Sequence, residues 1–125
     1  MQAVGSTVWI ADEERMDSVT AVSGSGPAYV FLFIEALQQA GRELGFTAEQ
    51  ARQLAIETTL GAAKLAANSD EPASVLRERV TSKGGTTAAA LDKMAECGVL
   101  AGIVAGVKAA DERGRELGAL LGKDD

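Results

Sequence analysis

The sequence predicts an all-α protein, and three observations support that prediction. It contains 14 glycines and many alanines, while aromatic residues make up only 4% of its 125 residues, so small side chains dominate and suit closely packed helices. Apolar residues recur at helical spacing through most of the chain. Residues that typically begin or end helices stand between these apolar stretches. We therefore expect a helical bundle, with one short N-terminal strand as the exception.

That strand is VGSTVWI, residues 4–10, in which Val8, Trp9 and Ile10 favour an extended backbone. A single strand without a partner is marginal. It either pairs with another chain or is the end of a sheet that this sequence does not contain. The expected boundaries are residues 1–11 for this segment, 12–121 for the helical domain and 122–125 for a C-terminal tail.

The first two helices are predicted from their end signals. Asp12 is a suitable N-cap for a helix over residues 13–21, which the sequence SGSGP then ends. Pro27 fits the first turn of a second helix, which runs to Leu44 and stops at Gly45. The apolar face predicted for this second helix comprises Val30, Phe31, Ile34, Leu37 and Leu44.

The next helices follow from similar signals. TAEQ has the form of a capping box, with Thr47 as N-cap and Gln50 three residues later, and it opens a helix that ends near NSDEP. A short helix begins at Pro72 and ends at about Val80, and a turn follows over residues 81–85. The last two helices are expected over residues 86–96 and 99–120, separated by Gly98.

Three glycines near the C-terminus, Gly98, Gly102 and Gly106, recur every four residues. A glycine in a helix interior costs about 1 kcal/mol relative to alanine. Several at one period indicate that another backbone packs closely on that face. Two interpretations stay open, which are an alanine- and glycine-rich core helix within one monomer and a helix–helix seam between two copies.

The overall composition excludes several classes of function. A net charge of −6 argues against nucleic-acid binding and against anionic membrane surfaces. The absence of histidine excludes a histidine-based triad, and we expect no metal site. A single cysteine, Cys97, excludes an internal disulfide. The most apolar run, residues 97–107, is too short for a bilayer that needs about 20 helical residues, so we expect no membrane partner.

The first glycine-rich segment is SGSGPAY, residues 23–29. It lacks the third small residue of a dinucleotide-binding fingerprint, because Tyr29 stands at that position, and no apolar strand leads into it. It is either an ordinary turn before a helix or a loop whose helix N-terminus favours an anion or a polar ligand.

The second glycine-rich segment, SKGGTTAAALDK, is more informative. Gly84 and Gly85 permit close approach of a ligand, and Thr86 or Thr87 can cap the next helix. The N–H groups of Gly85, Thr86 and Thr87 would then form a concavity for a carboxylate or phosphate, with one hydroxyl left free to donate. The alternative is a Gly-Gly hinge with a threonine cap.

VTAVSGSGPAYVFLFIEAL, TTLGAAKLA and VTSKGGTTAAALDKM, in this order, resemble the C-terminal domain of the pyrroline-5-carboxylate reductase family, over about Val8 to Leu117. The resemblance implies reduction of 1-pyrroline-5-carboxylate to L-proline with NADPH or NADH, the last step of proline biosynthesis, in the cytoplasm. It implies an all-helical domain that interlocks with a second copy as a homodimer, and dimers that can assemble into a decamer. Residues 1–11 would be the linker and last strand of an N-terminal nucleotide-binding domain that this chain lacks. The chain alone would therefore bind no cofactor and show no activity.

The resemblance also implies roles for individual residues. Thr87 corresponds to the catalytic threonine whose hydroxyl binds the imine nitrogen of the small-molecule substrate. The implied substrate-binding residues are Ser82, Gly84, Gly85, Thr86 and Thr87. The implied cofactor-proximal residues are Ser25, Gly26 and Pro27. Lys83 departs from the family pattern, since many relatives have proline there.

Two other functions compete with this one. The chain could be a helical association module without catalysis, in which the glycines only pack helices. It could also be a Schiff-base enzyme that uses Lys83 or Lys93, although neither lysine stands in an evidently apolar pocket.

Overall fold

The structure, a computed structural model, describes residues 15–123 and is helical through most of that range, with no strand in it. The predicted strand over residues 4–10 and the predicted cap Asp12 lie outside the described residues. The elements are α1 (Met16–Val19), a π-helical turn (Thr20–Gly24), α2 (Gly26–Glu43), α3 (Ala48–Ala67), α4 (Ala73–Arg79), α5 (Thr86–Glu96) and α6 (Val99–Lys123). The chain divides into two compact units, one within Met1–Val30 and Val99–Asp125 and the other Phe31–Gly98.

The π-helical turn corrects the prediction that SGSGP ends the first helix. The Ser25 N–H bonds the Thr20 carbonyl at 2.8 Å, five residues back instead of four, so the chain stays helical from α1 into α2. Pro27 supplies a physical reason. It has no N–H, and in a regular α-helix its ring would clash with the carbonyl of Ser23. A wider turn just before the proline relieves that conflict.

The C-terminus of α2 confirms the predicted stop at Gly45. Gly45 has a φ of 108°, in the left-handed region that favours glycine. The Phe46 N–H bonds the Gly41 carbonyl at 3.0 Å and the Gly45 N–H bonds the Arg42 carbonyl at 3.1 Å. This is a Schellman motif, and it satisfies two carbonyls that the end of the helix would leave unpaired. The helix itself ends at Glu43, one residue before the predicted Leu44.

The N-terminus of α3 confirms the predicted capping box. The Gln50 N–H bonds Thr47 Oγ1 at 3.1 Å, and the Thr47 N–H bonds Gln50 Oε1 at 3.0 Å. The first turn of α3 also packs closely against the end of α2. A Cβ at Gly41 would lie 3.1 Å from the Cβ of Ala51, which is buried. Small residues therefore let the end of α2 approach the start of α3.

The remaining helices match the predicted order with two corrections. Pro72 is the N-cap of α4, and α5 covers the predicted residues 86–96. Gly98 has a φ of 70° and forms the bend between α5 and α6, so it does not belong to the glycine set of the last helix. The last helix extends to Lys123, three residues beyond the predicted end.

In the first unit, α1 packs against α6 through a hydrogen bond to the Asp111 carboxylate, which a second residue of α6 also contacts. Ser18 Oγ donates to Asp111 Oδ1 at 2.7 Å across 93 residues of sequence, and Arg115 Nε lies 3.2 Å from Asp111 Oδ2. The Ser18 hydrogen bond, with a smaller effect of Arg115, holds the pKa of the Asp111 carboxyl below its usual value. Gly114 leaves room for Asp17, because a Cβ there would lie 3.4 Å from Asp17 Oδ1.

Few side chains of the described chain are buried. The buried apolar residues are three alanines, Ala21, Ala51 and Ala55. On the predicted apolar face of α2, Val30, Phe31 and Leu44 are exposed and Ile34 and Leu37 only half-buried. The helical period correctly located an apolar face, and the described residues of this chain leave most of it uncovered.

The first half of α6 shows the same exposure. Leu100 is 69% exposed and Ile103 is 56% exposed. A Cβ at Gly102 or at Gly106 would meet no atom of the described chain within 4 Å. Within residues 15–123 no other segment of the chain packs on these glycines, so the described residues do not support the interpretation of α6 as a core helix within one monomer.

The helical stretch Met16–Glu43 has 28 residues and is long and apolar enough to cross a membrane by length and composition alone. The expectation of no membrane partner rests on residues 97–107, the most apolar run of the sequence, and does not consider this longer helical stretch. An apolar helix that packs on a protein partner has the same length and composition.

Candidate substrate site

The second glycine-rich segment forms a tight turn directly before α5. The Gly85 N–H bonds the Ser82 carbonyl at 3.0 Å, and Gly84 has a φ of 76°. No non-glycine residue of the described range has a positive φ, so the φ of Lys83 is negative. With the bond between Gly85 and Ser82, a negative φ followed by a left-handed glycine matches a type II turn, with Lys83 at the position where proline is common. The backbone at position 83 is thus one that either lysine or proline can adopt.

The N-cap of α5 corrects the prediction that a threonine caps this helix. Gly85 is the N-cap, with φ −90° and ψ −172°, and no side chain caps the helix. Its carbonyl accepts the first helical bond, from the Ala89 N–H at 3.1 Å. Thr86 and Thr87 are therefore the first two residues of the helix, past the position from which a side chain reaches the free N–H groups.

The set of free donors moves by one residue as a result. The Gly85 N–H, predicted to be free, is bonded to Ser82. The N–H groups of Thr86, Thr87 and Ala88 form no hydrogen bond within residues 15–123. The Ala88 N–H was not predicted as a donor because the alanine side chain has no functional group that would draw attention to it. Its backbone role follows only from the position of the N-cap.

The surroundings of these donors favour an anion. Neither the turn nor the first half of α5 contains an acidic residue, since none occurs between Arg79 and Asp92. The helix dipole places partial positive charge at the same end. Lys83 is exposed beside it, and Thr87 is half-buried. A carboxylate or phosphate can therefore accept hydrogen bonds from up to three backbone N–H groups there.

Space around Gly85 is restricted. A Cβ at Gly85 would lie 3.2 Å from the Ser82 carbonyl oxygen and 3.3 Å from the Ser82 Cβ. Gly84 has open space around it, but its positive φ disfavours other residues. The two glycines are thus required for different reasons, Gly84 for its backbone angle and Gly85 for close contact.

The predicted cofactor-proximal residues belong to the first unit, whereas the turn and α5 belong to the second. Ser25 lies at the bend between the π-helical turn and α2, with φ −86° and ψ −16°. Its N–H is bonded to Thr20, and its carbonyl accepts the Ala28 N–H at 3.0 Å. The Ser25 N–H is therefore not a free donor and Pro27 has no N–H, so this segment is not the open loop that was one of the two interpretations. SGSGP cannot cradle the pyrophosphate of a dinucleotide in this conformation.

The two lysines considered for a Schiff base are both exposed. Lys93 Nζ lies 3.3 Å from Glu96 Oε2, with 74% of the lysine side chain exposed. Lys83 is exposed at the turn. A nucleophilic lysine is activated by desolvation or a neighbouring cation. Neither lysine meets the first condition in this chain.

Residues 13–117 match the family model described as pyrroline-5-carboxylate reductase dimerisation. The chain belongs to that family. The match includes the π-helical turn, the type II turn and α2 to α5 in full. The family membership and the all-helical fold implied by the sequence resemblance are therefore confirmed.

Curated relatives agree with this assignment. A pyrroline-5-carboxylate reductase from Pseudomonas aeruginosa is 45% identical over 123 residues, which are 98% of this chain and 45% of the relative. One from Haemophilus influenzae is 54% identical over 90 residues, 71% of this chain and 33% of the relative. The chain thus spans less than half the length of these relatives.

Solved structures show the same fold. A pyrroline-5-carboxylate reductase from Coxiella burnetii superimposes with a TM-score of 0.84 at 40% identity, over 88% of this chain and 41% of that one. The Plasmodium falciparum enzyme, solved with NADP bound, gives a TM-score of 0.82 at 36% identity, over 86% of this chain and 41% of that one.

Proposed function

We propose that this chain supplies the substrate site and the dimer interface of an NAD(P)H-dependent reductase that converts 1-pyrroline-5-carboxylate to L-proline. The observation that carries the proposal is the type II turn that leads into an uncapped helix N-terminus. The first turn of this helix contains three N–H groups without a hydrogen bond in residues 15–123 and two threonine hydroxyls that do not cap the helix. No acidic residue is near them in the sequence. The family match supports the reaction type.

In the proposed complex the substrate carboxylate accepts hydrogen bonds from the N–H groups of Thr86, Thr87 and Ala88, with the Ser82 hydroxyl beside them. Gly84 and Gly85 keep this approach open. The Thr87 hydroxyl donates to the imine nitrogen and fixes the orientation of the C=N bond. A threonine hydroxyl is a weak acid, so water supplies the proton that the imine nitrogen gains as the hydride reaches the carbon. Orientation of the reacting carbon is the main contribution of the chain.

A bound nicotinamide cofactor supplies the hydride in this chemistry. The described residues do not fit its phosphates, because the backbone of SGSGP is bonded within a helix. We propose that the nucleotide is held by a separate nucleotide-binding domain. Ser25, Gly26 and Pro27 lie near the nicotinamide in the assembled enzyme. The chain by itself is expected to hold no cofactor.

The proposed partner is a second copy of the chain, interlocked as a homodimer that can assemble further into a decamer. The exposed apolar faces of α2 and α6 and the open glycines of α6 support it. Large apolar side chains exposed together on helix faces are typical of a surface that another protein covers. We assign the apolar stretch Met16–Glu43 to the same interface rather than to a membrane, because the family match includes all of it.

The catalytic proposal is tested in a joined protein, in which the part of the Pseudomonas aeruginosa relative that this chain does not cover precedes this helical domain. We expect NADPH-dependent formation of proline. Thr87→Ala should lower turnover by about ten- to a hundredfold, since one hydrogen bond to the reacting group is worth about 1–3 kcal/mol. Thr87→Ser keeps the hydroxyl and should retain most of the activity.

Both variants should remain dimeric in light scattering. Unchanged turnover in the dimeric Thr87→Ala variant would remove this residue from the mechanism. A joined protein that binds NADPH and dimerises but forms no proline would instead favour the alternative, a helical dimerisation module without catalysis.

A further inference from the structure

The π-helical turn leaves one carbonyl that only a side chain can satisfy. In a regular α-helix the Ser25 N–H would bond the Ala21 carbonyl. Here it bonds Thr20 instead, and the Tyr29 hydroxyl donates to the Ala21 carbonyl at 2.7 Å. Ala21 is only 2% exposed, so solvent is a poor substitute for that donor. The Tyr29 hydroxyl thus replaces the backbone N–H that the Ala21 carbonyl would bond in a regular α-helix.

This hydrogen bond stabilises one register of the helix over the other. If Thr20–Gly24 became α-helical, the Ser25 N–H would return to the Ala21 carbonyl and the Tyr29 hydroxyl would lose this acceptor. The π-helical turn accommodates one more residue than an α-helical turn would. Its loss would rotate all preceding residues by about 100° around the helix axis relative to α2.

The preceding residues are fixed in the π register by their contacts with α6. Ser18 Oγ donates to Asp111 Oδ1 at 2.7 Å, and Asp17 lies against Gly114. A rotation of about 100° would carry Ser18 away from Asp111. The register of the π-helical turn therefore determines which face of α1 meets α6, and it also sets the conformation of Ser25 at its other end.

We propose that Tyr29 is a positioning residue whose hydroxyl holds Thr20–Gly24 in the π register, docking α1 on α6 and placing Ser25–Pro27 for the reaction. The docking of α1 is a property of this chain alone. The placement for the reaction rests on the proposed function. The two parts are therefore tested by separate measurements.

The first measurement is amide hydrogen exchange by NMR on the full chain. Because the Pro27 ring opposes the α-helical register, a turn without the Tyr29 hydroxyl opens more often instead of changing register. Tyr29→Phe should therefore speed exchange at the Ser25 N–H by about tenfold, as loss of one hydrogen bond allows, and leave the amides in the middle of α2 unchanged. The control is Thr59→Val, which removes a bond of the same kind, from Thr59 Oγ1 to the Ala55 carbonyl at 2.8 Å in a regular helix. Equal exchange at Ser25 in wild type and Tyr29→Phe would overturn the proposal.

A deletion keeps the test decisive if Tyr29→Phe folds poorly. Removing Val22, which is 63% exposed, shortens the π-helical turn to an α-helical one while keeping both flanking registers. In that background the Ser25 N–H lies four residues after Thr20 and still bonds its carbonyl, while the Ala21 carbonyl accepts the Gly26 N–H. The Tyr29 hydroxyl is then not needed, and Tyr29→Phe should change neither stability nor exchange. A loss of stability from Tyr29→Phe that is equal in both backgrounds would show that the tyrosine does not act through the π register.

The second measurement uses the joined reductase. Tyr29→Phe should lower kcat by about tenfold and leave KM for the pyrroline substrate unchanged, because the proposed carboxylate site is on α5. A joined wild-type protein without reductase activity would refute the proposed function, while hydrogen exchange would still decide the role of Tyr29 in the register. An active protein in which Tyr29→Phe has wild-type kcat would refute the placement of Ser25–Pro27.

Discussion

Substitution of Gly106 by alanine tests whether α6 lies in a seam between two copies, because the two possibilities predict opposite signs. Gly106 is in the interior of α6, and a Cβ there would meet no atom of the described chain within 4 Å. For an open helix face, Gly106→Ala stabilises the helix by about 1 kcal/mol. In a dimer that leaves this face of α6 open in both copies, the stabilisation would be about 2 kcal/mol per dimer.

A partner helix packed on this face reverses the sign. The added methyl group must then displace a neighbouring backbone, and overpacking of this kind costs about 1–3 kcal/mol at each site. After the helix-propensity gain is subtracted, about 1 kcal/mol of destabilisation per copy remains at the middle of that range. For two copies the dimer weakens by about 2 kcal/mol, which is roughly a thirtyfold increase in its dissociation constant.

The assay is sedimentation equilibrium over a dilution series, with chemical denaturation at several protein concentrations. Gly84→Ala is the matched control, since a Cβ at Gly84 also meets nothing within 4 Å. Its φ of 76° makes alanine cost about 1–2 kcal/mol in folding without an effect on association. If Gly106→Ala stabilised the chain by about 1 kcal/mol and left the association constant unchanged, the placement of α6 in the seam would be wrong.

Two further predictions concern the turn and the α1–α6 contact. Lys83→Pro should raise the free energy of unfolding by about 0.4–1 kcal/mol, since Lys83 has a negative φ and its N–H forms no hydrogen bond within residues 15–123; a loss of stability in denaturant titrations would contradict the type II turn. Ser18→Ala should raise the pKa of Asp111 toward its usual value, measured by NMR titration. Because that pKa is lowered in the folded state, its stabilising effect is complete above about pH 4 and disappears as the pH falls through the folded pKa. Wild type and Ser18→Ala should therefore differ in stability near neutral pH and converge in acid; a difference that stayed constant down to low pH would exclude the carboxylate as its source.

The features predicted correctly from the sequence are those that a few neighbouring residues determine. The capping box of Thr47 and Gln50 and the Schellman motif at Gly45 each depend on contacts within six residues of sequence. The left-handed backbone of Gly45 and Gly98 also follows from the local sequence, because a helix that ends at glycine needs only contacts within its last turn. Such elements form in the same way whatever covers the helix.

The features that were missed depend on contacts that the local pattern does not contain. The π-helical turn is supported by Tyr29, eight residues beyond Ala21, and by the contact of Ser18 with Asp111 across 93 residues. Without these contacts a Ser-Gly-Ser-Gly-Pro sequence is typical of a break between helices. The apolar face of α2 was located correctly by its period, but periodicity does not specify whether the same chain or another covers a face.

The N-cap of α5 was predicted one or two residues too late, but this error changes only one of the three donors in the candidate site. The predicted donors were the N–H groups of Gly85, Thr86 and Thr87, whereas the free ones are those of Thr86, Thr87 and Ala88. Thr87 belongs to both sets because it lies in the first helical turn whichever residue is the N-cap. The cap does decide the threonine hydroxyls, since a capping threonine would use its oxygen on the backbone. With Gly85 as the cap, both hydroxyls are left for a ligand, and so the geometry strengthens the role proposed for Thr87.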